Sequence, residues 1–340
     1  MGADRAAPEA VGEPEAVPAA VRERIGAAGR VLTVCHERPE ADALGAALAL
    51  ALLVEARGGA ATPVCADPVP AMYAFMPAVE RFRPDPDGED YDLIVVADCG
   101  ELERIGPVLE RHAALFARVP IVNIDHHVSN SGFGTVDWID AKAAATCEMV
   151  TLLTGVLGVP LTAAGGALAA ALLAGVVMDT ANFQHPNATP RTLRVAADLV
   201  AAGAPLAEIA RRLYRTKPNE QLKLFGLVLA GLEMAGERVV HATLTQAALE
   251  AAAAAPSQSE GLIDLLSQSA TGDVAVLFKE EEGRTRISVR TRPGGVDATL
   301  LVRPFGGGGH ARAAGAMIEL PLAEARPLVL AEARRLVGDA

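Results

Sequence analysis

The chain has 340 residues, of which 51% are hydrophobic, and a formal net charge of -12 at pH 7. This length and hydrophobic fraction exclude a disordered protein and allow two domains with their own cores. The acidic balance and the 4% of aromatic residues argue against binding along a long nucleic acid, which needs many cations and stacking surfaces. A short nucleotide held in a local basic pocket remains open.

The first half of the chain alternates strands with helices. Residues 1–20, rich in Ala, Pro and Glu, predict a disordered tail without a signal peptide. Helices are predicted at 21–29 and 42–57. Strands are predicted at the apolar runs 31–35, 62–65, 93–97 and 121–124. This alternation predicts an α/β domain, residues 21–204, with a mainly parallel sheet flanked by helices.

Three further helices are predicted at 143–157, 163–178 and 189–202. The run 149–178 carries no charged residue, but Pro160 and five glycines interrupt it and no Trp or Tyr flanks it. It therefore predicts a buried helix pair and not a membrane span.

Residues 205–235 are helical in pattern and more charged, which favours a linker helix between two domains. Beyond this segment we predict a smaller mixed α/β domain, residues 236–340. Its predicted strands are 239–243, 274–278 and 286–292, the last two joined by a hairpin at 281–283, and its predicted helices are 246–254, 260–269 and 322–337.

The four cysteines lie within or beside apolar runs and show no C-x-x-C pairing. They are Cys35, Cys65, Cys99 and Cys147. This pattern predicts buried, reduced thiols and a cytoplasmic protein.

Apolar runs of the first half stop at carboxylates or imidazoles. The residues just past such a run are His36, Asp98, Asp125, His126, His127 and Asp179. Carboxyl ends of parallel strands share one edge of a sheet, where α/β proteins bind ligands. Glu40 and Asp42 join this edge because the loop at Pro39 turns the chain back toward it. Each residue alone is commonly a strand-end or capping group, but together they predict a site.

Five carboxylates cannot all ionise in a small space without a counter-charge. Two divalent metal ions would supply it. Mixed oxygen and imidazole ligands suit Mn²⁺, with Mg²⁺ or Co²⁺ as substitutes. Two such ions roughly 3.5–4 Å apart, sharing a carboxylate, form an arrangement that hydrolyses phosphate esters.

The second domain contains the run Gly306–Gly309, followed by His310 and Arg312. Glycines let successive N–H groups approach an anion, although a flexible hairpin tip is the commoner meaning of a bare glycine run. Arg290 and Arg292 lie on the preceding strand. The cations favour a site for a phosphate or sugar of a nucleotide.

These motifs resemble the DHH phosphoesterase superfamily and its DHHA1 partner domain, most closely the nanoRNase/pAp phosphatase type. The motifs are His36-Glu-Arg-Pro39-Glu40-Ala-Asp42, Asp98, Asp125-His126-His127, Asp179-Thr180 with Asn187-Ala-Thr189-Pro190, and Phe305-Gly-Gly-Gly-Gly-His310-Ala-Arg312-Ala-Ala-Gly315. The resemblance covers nearly the whole chain after residue 25.

The resemblance implies two ligand sets that share Asp98. One Mn²⁺ is expected on His36, Glu40 and Asp98, and the other on Asp42, Asp98, His126 and Asp179. Asp125, His126 and His127 are the expected catalytic residues: Asp125 orients an imidazole and His127 contacts the scissile phosphate. The expected substrate-binding residues are His127, Arg290, Gly307, Gly308, Gly309, His310 and Arg312. The family usually has Asp where this chain has Glu40, which predicts a shifted first ion.

The activity implied by the resemblance is Mn²⁺-dependent hydrolysis of short oligoribonucleotides, about two to five nucleotides long, to mononucleotides. Hydrolysis of 3′-phosphoadenosine-5′-phosphate (pAp) to AMP is implied as well. Two alternatives stay open: a phosphodiesterase of cyclic di-AMP or its linear product pApA, and a catalytically silent nucleotide-binding module in which Glu40 has spoiled the metal pair. Neither a membrane nor a long duplex is an expected partner, and a homodimer stays open beside a monomer.

Overall fold

The computed structural model describes residues 17–339. These residues form two compact units, which meet in the chain between Thr216 and Lys217. Residues 1–16 of the predicted disordered tail lie outside the described residues. Residues 19 and 20 begin the first helix.

The first unit contains a five-stranded sheet in the order β2-β1-β3-β4-β5. Every neighbouring pair in it is parallel, so the predicted parallel sheet is confirmed. The fifth strand was not predicted, because only its Trp138 is buried and the segment lacks an apolar run. The strands β1 to β5 are Arg30–Val34, Ala60–Val64, Leu93–Ala97, Ile121–Asp125 and Val136–Ile139.

Between residues 17 and 216, eight α-helices accompany this sheet. Helices α1 to α8 are Ala19–Ala27, Ala41–Ala56, Pro107–Arg111, Ala113–Arg118, Thr146–Val156, Ala167–Asp179, Pro190–Ala201 and Leu206–Tyr214. The uncharged run 149–178 forms most of α5 and α6, which are buried as predicted. Among residues 17–339, no helix has the length and hydropathy needed to cross a bilayer.

Helices α2 and α6 pack closely through two glycines. A Cβ atom on Gly45 would lie 2.5 Å from the carbonyl oxygen of Ala171. A Cβ atom on Gly175 would lie 2.4 Å from Cys147 Sγ and 2.5 Å from Asp42 Oδ1. Only glycine permits these approaches, because real Cβ atoms do not come so near. The close packing brings the last turn of α6 beside the first turn of α2.

The second unit contains a six-stranded mixed sheet in the order β10-β11-β9-β8-β7-β6. The pair β7 and β8 is parallel and the other pairs are antiparallel. The predicted hairpin is confirmed, since Glu281 pairs with Arg284. The strands β6 to β11 are Glu233–Ala235, Val239–Leu244, Val274–Glu281, Arg284–Thr291, Gly308–His310 and Ala313–Ile318.

Five α-helices belong to the described part of this second unit, residues 217–339. Helices α9 to α13 are Asn219–Ala230, Gln246–Ala252, Leu262–Leu266, Ala298–Val302 and Leu322–Val337. The segment 205–235, predicted as a linker helix, consists of α8, α9 and β6. Pro218 separates the two helices, since proline favours an extended residue before it and stands at the start of a helix.

The four cysteines are all buried and free, as the sequence predicts. Two of them, Cys35 and Cys99, are chain neighbours of the candidate residues His36 and Asp98.

Candidate active site

Three central strands bring the first group of candidate residues to one edge of the sheet. His36 follows β1, Asp98 follows β3 and Asp125 is the last residue of β4. In the order β2-β1-β3-β4-β5, β2 lies on one side of β1, and the later strands β3, β4 and β5 lie on the other side. Where the strand order reverses in this way, a crevice opens beside the carboxyl ends of β1 and β3. Asp98 has a φ of 60°, a left-handed conformation that Asp tolerates better than most residues. This turn directs its carboxylate across the edge.

Two helices add the remaining carboxylates. Glu40 is the residue before the first turn of α2, and Asp42 lies within that turn. Asp179 is the last residue of α6. Asp42 is fully buried, which the small Gly175 makes possible on the facing helix. The structure thus brings these residues together at one edge of the sheet.

The candidate ligand atoms fall into three groups in which all atoms lie within 4.8 Å of one another. The first group is the predicted first set, the second is the predicted second set without Asp98, and the third joins Asp98 to both imidazoles of the Asp-His-His triplet. The groups are His36 with Glu40 and Asp98, Asp42 with His126 and Asp179, and Asp98 with His126 and His127.

The two oxygens of Asp98 face opposite sides of the cluster. Oδ2 lies 3.7 Å from Nε2 of His36, and Oδ1 lies 3.5 Å from Nε2 of His126. Nε2 of His126 also lies 3.2 Å from Oδ2 of Asp179. A carboxylate with one oxygen toward each group has the geometry of a bridge between two cations.

Backbone carbonyls orient the imidazoles of His36 and His126. Nδ1 of His36 lies 2.7 Å from the carbonyl oxygen of Glu37, and Nδ1 of His126 lies 3.4 Å from that of Ala143. An imidazole that donates Nδ1–H to a carbonyl presents Nε2 as a lone-pair ligand. Both Nε2 atoms point into the carboxylate cluster. The sequence carries no signal for these carbonyl contacts, because every residue has a carbonyl.

Asp125 orients His127 and is itself held by an amide. Nδ1 of His127 lies 2.7 Å from Asp125 Oδ1, and Asn130 Nδ2 donates to Asp125 Oδ2 at 2.6 Å. Asn130 Oδ1 accepts from Asn123 at 3.0 Å, which ties the loop to the buried strand β4. The prediction that Asp125 orients an imidazole thus concerns His127. Asn130 was not predicted as a site residue, although it lies in the loop that follows the Asp-His-His triplet.

The beginning of α5 holds two of the carboxylates. The backbone N–H groups of Thr146 and Cys147 donate to the two oxygens of Asp42, at 2.6 and 2.9 Å. The hydroxyl of Thr146 donates to Asp98 Oδ1 at 3.0 Å. N–H groups at a helix N-terminus favour an anion. Sequence reasoning missed Thr146, since a Thr at the start of an apolar helix is commonly only a capping residue.

Crowding raises the pKa of three carboxyl groups. Burial, followed by the charges of Asp179 and Asp98, raises the pKa of Glu40. The same causes raise the pKa of the fully buried Asp42 well above its usual range. Burial also raises the pKa of Asp179, although the hydrogen bond with His126 opposes it. The carboxylates therefore cost free energy when ionised together.

The pKa values of the two imidazoles of the Asp-His-His triplet are raised as well, which favours their charged form. Burial lowers the pKa of His126, but the hydrogen bond to Asp179 and the charges of Asp42 and Asp98 outweigh it and raise the pKa to about 10. The hydrogen bond between His127 and Asp125 raises the pKa of His127. In the protein without cations, a proton on an imidazole compensates the surrounding carboxylates.

This donor set fits divalent cations. It combines buried carboxylate oxygens, two imidazoles with Nε2 directed inward, and an excess of negative charge that neither Lys nor Arg neutralises in the three groups. Such oxygen and imidazole ligands suit Mn²⁺ and related divalent ions. Glu40, one methylene longer than an Asp would be, has a carboxylate oxygen within 4.8 Å of ligand atoms of His36 and Asp98.

His185 and Asn187 contact the backbone beside Asp179. Nδ1 of His185 lies 3.4 Å from the carbonyl oxygen of Asp179, and Asn187 Nδ2 donates to the same oxygen at 3.2 Å. Asn187 also donates to the carbonyl oxygen of Ala144 at 3.2 Å. These contacts brace the end of α6 and the segment before α5.

In the second unit, the arginines that the sequence singled out already have partners. Arg290 Nε donates to Asp264 Oδ1 at 2.9 Å. Arg292 pairs with Asp273 at 3.6 Å. Arg312 donates through Nη2 to the carbonyl oxygen of Thr291, while its Nε is buried without a hydrogen-bond partner.

Two glycines of the run, Gly307 and Gly309, pack closely against β11, whereas Gly308 is exposed. Gly308 and Gly309 belong to β10, which pairs with β11. A Cβ atom on Gly307 would lie 2.4 Å from the carbonyl oxygen of Gly315, and one on Gly309 would lie 2.5 Å from that of Ala313. Gly308 faces open space. A groove of about 310 Å³ runs along this edge, lined in part by Arg286, Ser288, Gly306, Gly307 and Gly308.

Sequence comparison identifies both units. Residues 30–204 match the DHH family, N-terminal domain, and residues 236–339 match the DHHA1 domain. The bifunctional oligoribonuclease and PAP phosphatase NrnA of Thermus thermophilus is 34% identical over 312 residues, covering 90% of each chain. The protein of the same name from Bacillus subtilis is 28% identical and covers 83% of this chain and 87% of its own.

A solved structure has the same fold. An exopolyphosphatase-related protein from Bacteroides fragilis superposes with a TM-score of 0.80 over 94% of this chain and 96% of its own, at 20% identity. At this identity the likeness concerns the fold alone. The family matches therefore confirm the architecture inferred from the sequence motifs, an N-terminal DHH domain followed by a DHHA1 domain.

Proposed function

This chain belongs to the DHH family of phosphoesterases, and from that premise we propose that it hydrolyses short oligoribonucleotides to mononucleotides and pAp to AMP. The relatives named oligoribonuclease and PAP phosphatase support this choice of substrates. The observation that best supports this proposal is the buried carboxylate of Asp98, whose two oxygens face different ligand groups.

Under this proposal the chain holds two Mn²⁺ ions. His36, Glu40 and Asp98 would hold one, and Asp42, Asp98, His126 and Asp179 the other. Bound divalent ions neutralise phosphoryl oxygens and lower the pKa of a water between them. The carbonyls of Glu37 and Ala143 keep the Nε2 atoms of His36 and His126 available as ligands.

His127 has the position and the environment to act on the substrate itself. Its side chain is 37% exposed, whereas that of its partner Asp125 is fully buried. Asp125 accepts the hydrogen bond from Nδ1 and raises the pKa of His127, so the protonated imidazole is favoured. Protonated His127 would donate from Nε2 to an oxygen of the scissile phosphate and stabilise the charge that develops there.

The second unit would hold the remainder of the nucleotide. Gly308 offers an exposed backbone beside the groove, and Arg290 on β9, His310 at the end of β10 and Arg312 before β11 would supply cations or donors. The ion pair of Arg290 with Asp264 is partly exposed, so a substrate phosphate could replace the Asp264 carboxylate. Gly307 and Gly309 are proposed to contribute backbone N–H groups and also to permit the close pairing with β11.

The direct test is hydrolysis of four substrates in Mn²⁺: pAp, pApA, a pentanucleotide RNA and a 24-nucleotide RNA. We expect mononucleotides from the short substrates and little product from the longest. EDTA and the Asp125→Ala variant serve as controls and should abolish the reaction. Rapid degradation of the 24-mer would contradict the restriction to short substrates, and exclusive cleavage of pApA would favour the dinucleotide phosphodiesterase.

A silent nucleotide-binding module predicts no turnover in the wild type and activity only after Glu40→Asp. The approach of Glu40 to His36 and Asp98 supports an active enzyme instead. Turnover by the wild-type chain would exclude the silent module, and absence of turnover with all four substrates would refute the proposed function.

A further inference from the structure

Thr146 connects two carboxylates that come from different elements. It is the first residue of α5 and is fully buried. Its hydroxyl donates to Asp98 Oδ1 at 3.0 Å, and its backbone N–H donates to Asp42 Oδ2 at 2.6 Å. One residue therefore fixes a carboxylate at the end of β3 relative to a carboxylate at the beginning of α2.

The hydroxyl matters because the rotamer of an Asp side chain does not by itself fix the plane of its carboxylate. The terminal torsion of Asp is broad and roughly two-fold, so hydrogen bonds decide which oxygen points where. In this protein the Thr146 hydroxyl contacts Oδ1 of Asp98, which is also the oxygen that lies 3.5 Å from His126. Oδ2 lies on the other side, 3.7 Å from Nε2 of His36, so this oxygen keeps a neighbour of its own when the hydroxyl is lost.

We propose that Thr146 is a positioning residue that orients the Asp98 carboxylate and, through it, sets the affinity of the group formed by Asp42, His126 and Asp179 for a divalent cation. This inference rests on the proposed function, since it assumes that both groups bind cations. Loss of the Thr146 hydroxyl should therefore change the cation affinities of the two groups unequally. The group of Asp42, His126 and Asp179 should weaken, while that of His36 and Glu40 should be nearly unaffected.

The chain offers a matched control in the same helix. Thr151 is also buried, and its hydroxyl donates to the carbonyl oxygen of Cys147 at 2.8 Å, away from the carboxylates. Thr146→Val and Thr151→Val each replace one hydroxyl by a methyl group in α5. Thr146→Ser keeps the hydroxyl, and Thr146→Ala removes it without placing a methyl group against Asp98.

The experiment is calorimetric titration of Mn²⁺ into the metal-free protein. For the wild type, Thr151→Val and Thr146→Ser we expect two ions with similar affinities. For Thr146→Val and Thr146→Ala we expect one of the two affinities to fall by about 10- to 100-fold, the usual effect of removing a hydrogen bond to a metal ligand. Thermal unfolding of each variant verifies that it is folded before titration.

Two backgrounds identify the affected group. Glu40→Gln weakens the first group and leaves the second to be titrated, whereas Asp179→Asn does the reverse. Thr146→Val should lower the remaining affinity in the Glu40→Gln background and change it by less than about threefold in the Asp179→Asn background. Equal losses in both backgrounds, or no loss in either, would overturn the inference.

The result also separates this inference from the proposed function. If the wild-type chain binds fewer than two Mn²⁺ ions and hydrolyses none of the four substrates, the proposed function fails. If the wild type binds two ions and is active, but Thr146→Val behaves like Thr151→Val, only the role of Thr146 is refuted. Failure of both hydroxyl-free variants to fold, with Thr146→Ser intact, would mean that Thr146 is structural and would overturn its positioning role.

Discussion

The carboxyl-end edge of the first sheet and the glycine-rich edge of the second sheet use polar residues differently. At the first edge, carboxylates and imidazoles from three strands and two helices converge, and Asp42, Asp98 and Asp125 are buried. At the second edge, Arg290 and Arg312 are engaged by their own unit and Gly308 is exposed. Convergence of like charges is costly without a ligand, whereas separately paired arginines are stable without one. The first edge therefore indicates a bound cation more strongly than the second indicates a bound anion.

The largest effect on activity is expected from a single substitution of Asp98 at the first edge. Asp98→Ala removes the carboxylate shared by two ligand groups, so kcat/KM for pAp should fall by more than about a thousandfold. Asp92 precedes the same strand at the opposite edge, where it accepts hydrogen bonds from Gly29 and Arg30. Asp92→Asn is the matched control and should change kcat/KM by less than about threefold.

The second effect concerns the orientation of His127. Asp125→Asn keeps the size of the side chain but weakens the hydrogen bond to Nδ1, so kcat should fall by about 100-fold. The same change should lower the pKa of His127 in the metal-free protein, because the hydrogen bond to Asp125 is the main cause of its raised pKa. Histidine titration by NMR measures that pKa, and an unchanged value would contradict the assigned pairing.

A third prediction separates the two units by their response to cations. Mn²⁺ at about 100 times its dissociation constant should stabilise the first unit by about 2.7 kcal/mol. Hydrogen exchange should show added protection for peptides containing β3, β4 and the start of α5, with none around β10 and β11. Equal protection in both units would show that the cations do not bind selectively at the first edge.

The metal-free first unit should also lose stability as the pH rises. The pKa of His126 is raised to about 10 in the folded chain, against about 6.5 for an unfolded histidine. Its contribution is fully present below pH ~6.5 and is lost as the pH rises toward about 10. We expect Tm in EDTA to fall across this window more steeply than Tm of His126→Gln, and parallel slopes would contradict the prediction.

The smallest effect on activity is expected at the second edge. Gly308→Ala adds a methyl group facing open space, so stability should be preserved while KM rises by about three- to tenfold. Gly309→Ala is different, because its Cβ would lie 2.5 Å from the carbonyl oxygen of Ala313 and its φ is 142°. This variant should destabilise the second unit by about 1–3 kcal/mol. Equal KM values for Gly308→Ala and wild type would indicate that this edge does not meet substrate.

The sequence predicted the first edge well because two simple rules govern it. Apolar runs indicated the strands, and parallel strands place their carboxyl ends together, so the convergence of His36, Asp98 and Asp125 followed. The exposed strand β5 and the short strands β6 and β10 carry no such run. Their presence depends on pairing with neighbours that are distant in sequence or on turns without a strong pattern.

The supporting contacts of the site were beyond sequence reasoning for a related reason. The carbonyl oxygen of Ala143 and the N–H of Cys147 belong to groups found in every residue, so side-chain type gives no signal. Thr146 reaches Asp98 across 48 positions of sequence. In the second unit, residue types alone suggested an anion site, but they could not reveal that Asp264 already pairs with Arg290.

The most direct test of the central claim is anomalous diffraction at the manganese edge from crystals of the protein with Mn²⁺. We expect two peaks per chain, roughly 3.5–4 Å apart, with the Asp98 carboxylate between them. We also expect His36 and Glu40 at one peak, and Asp42, His126 and Asp179 at the other. A single peak, or two peaks that do not share Asp98, would contradict the proposed two-cation site.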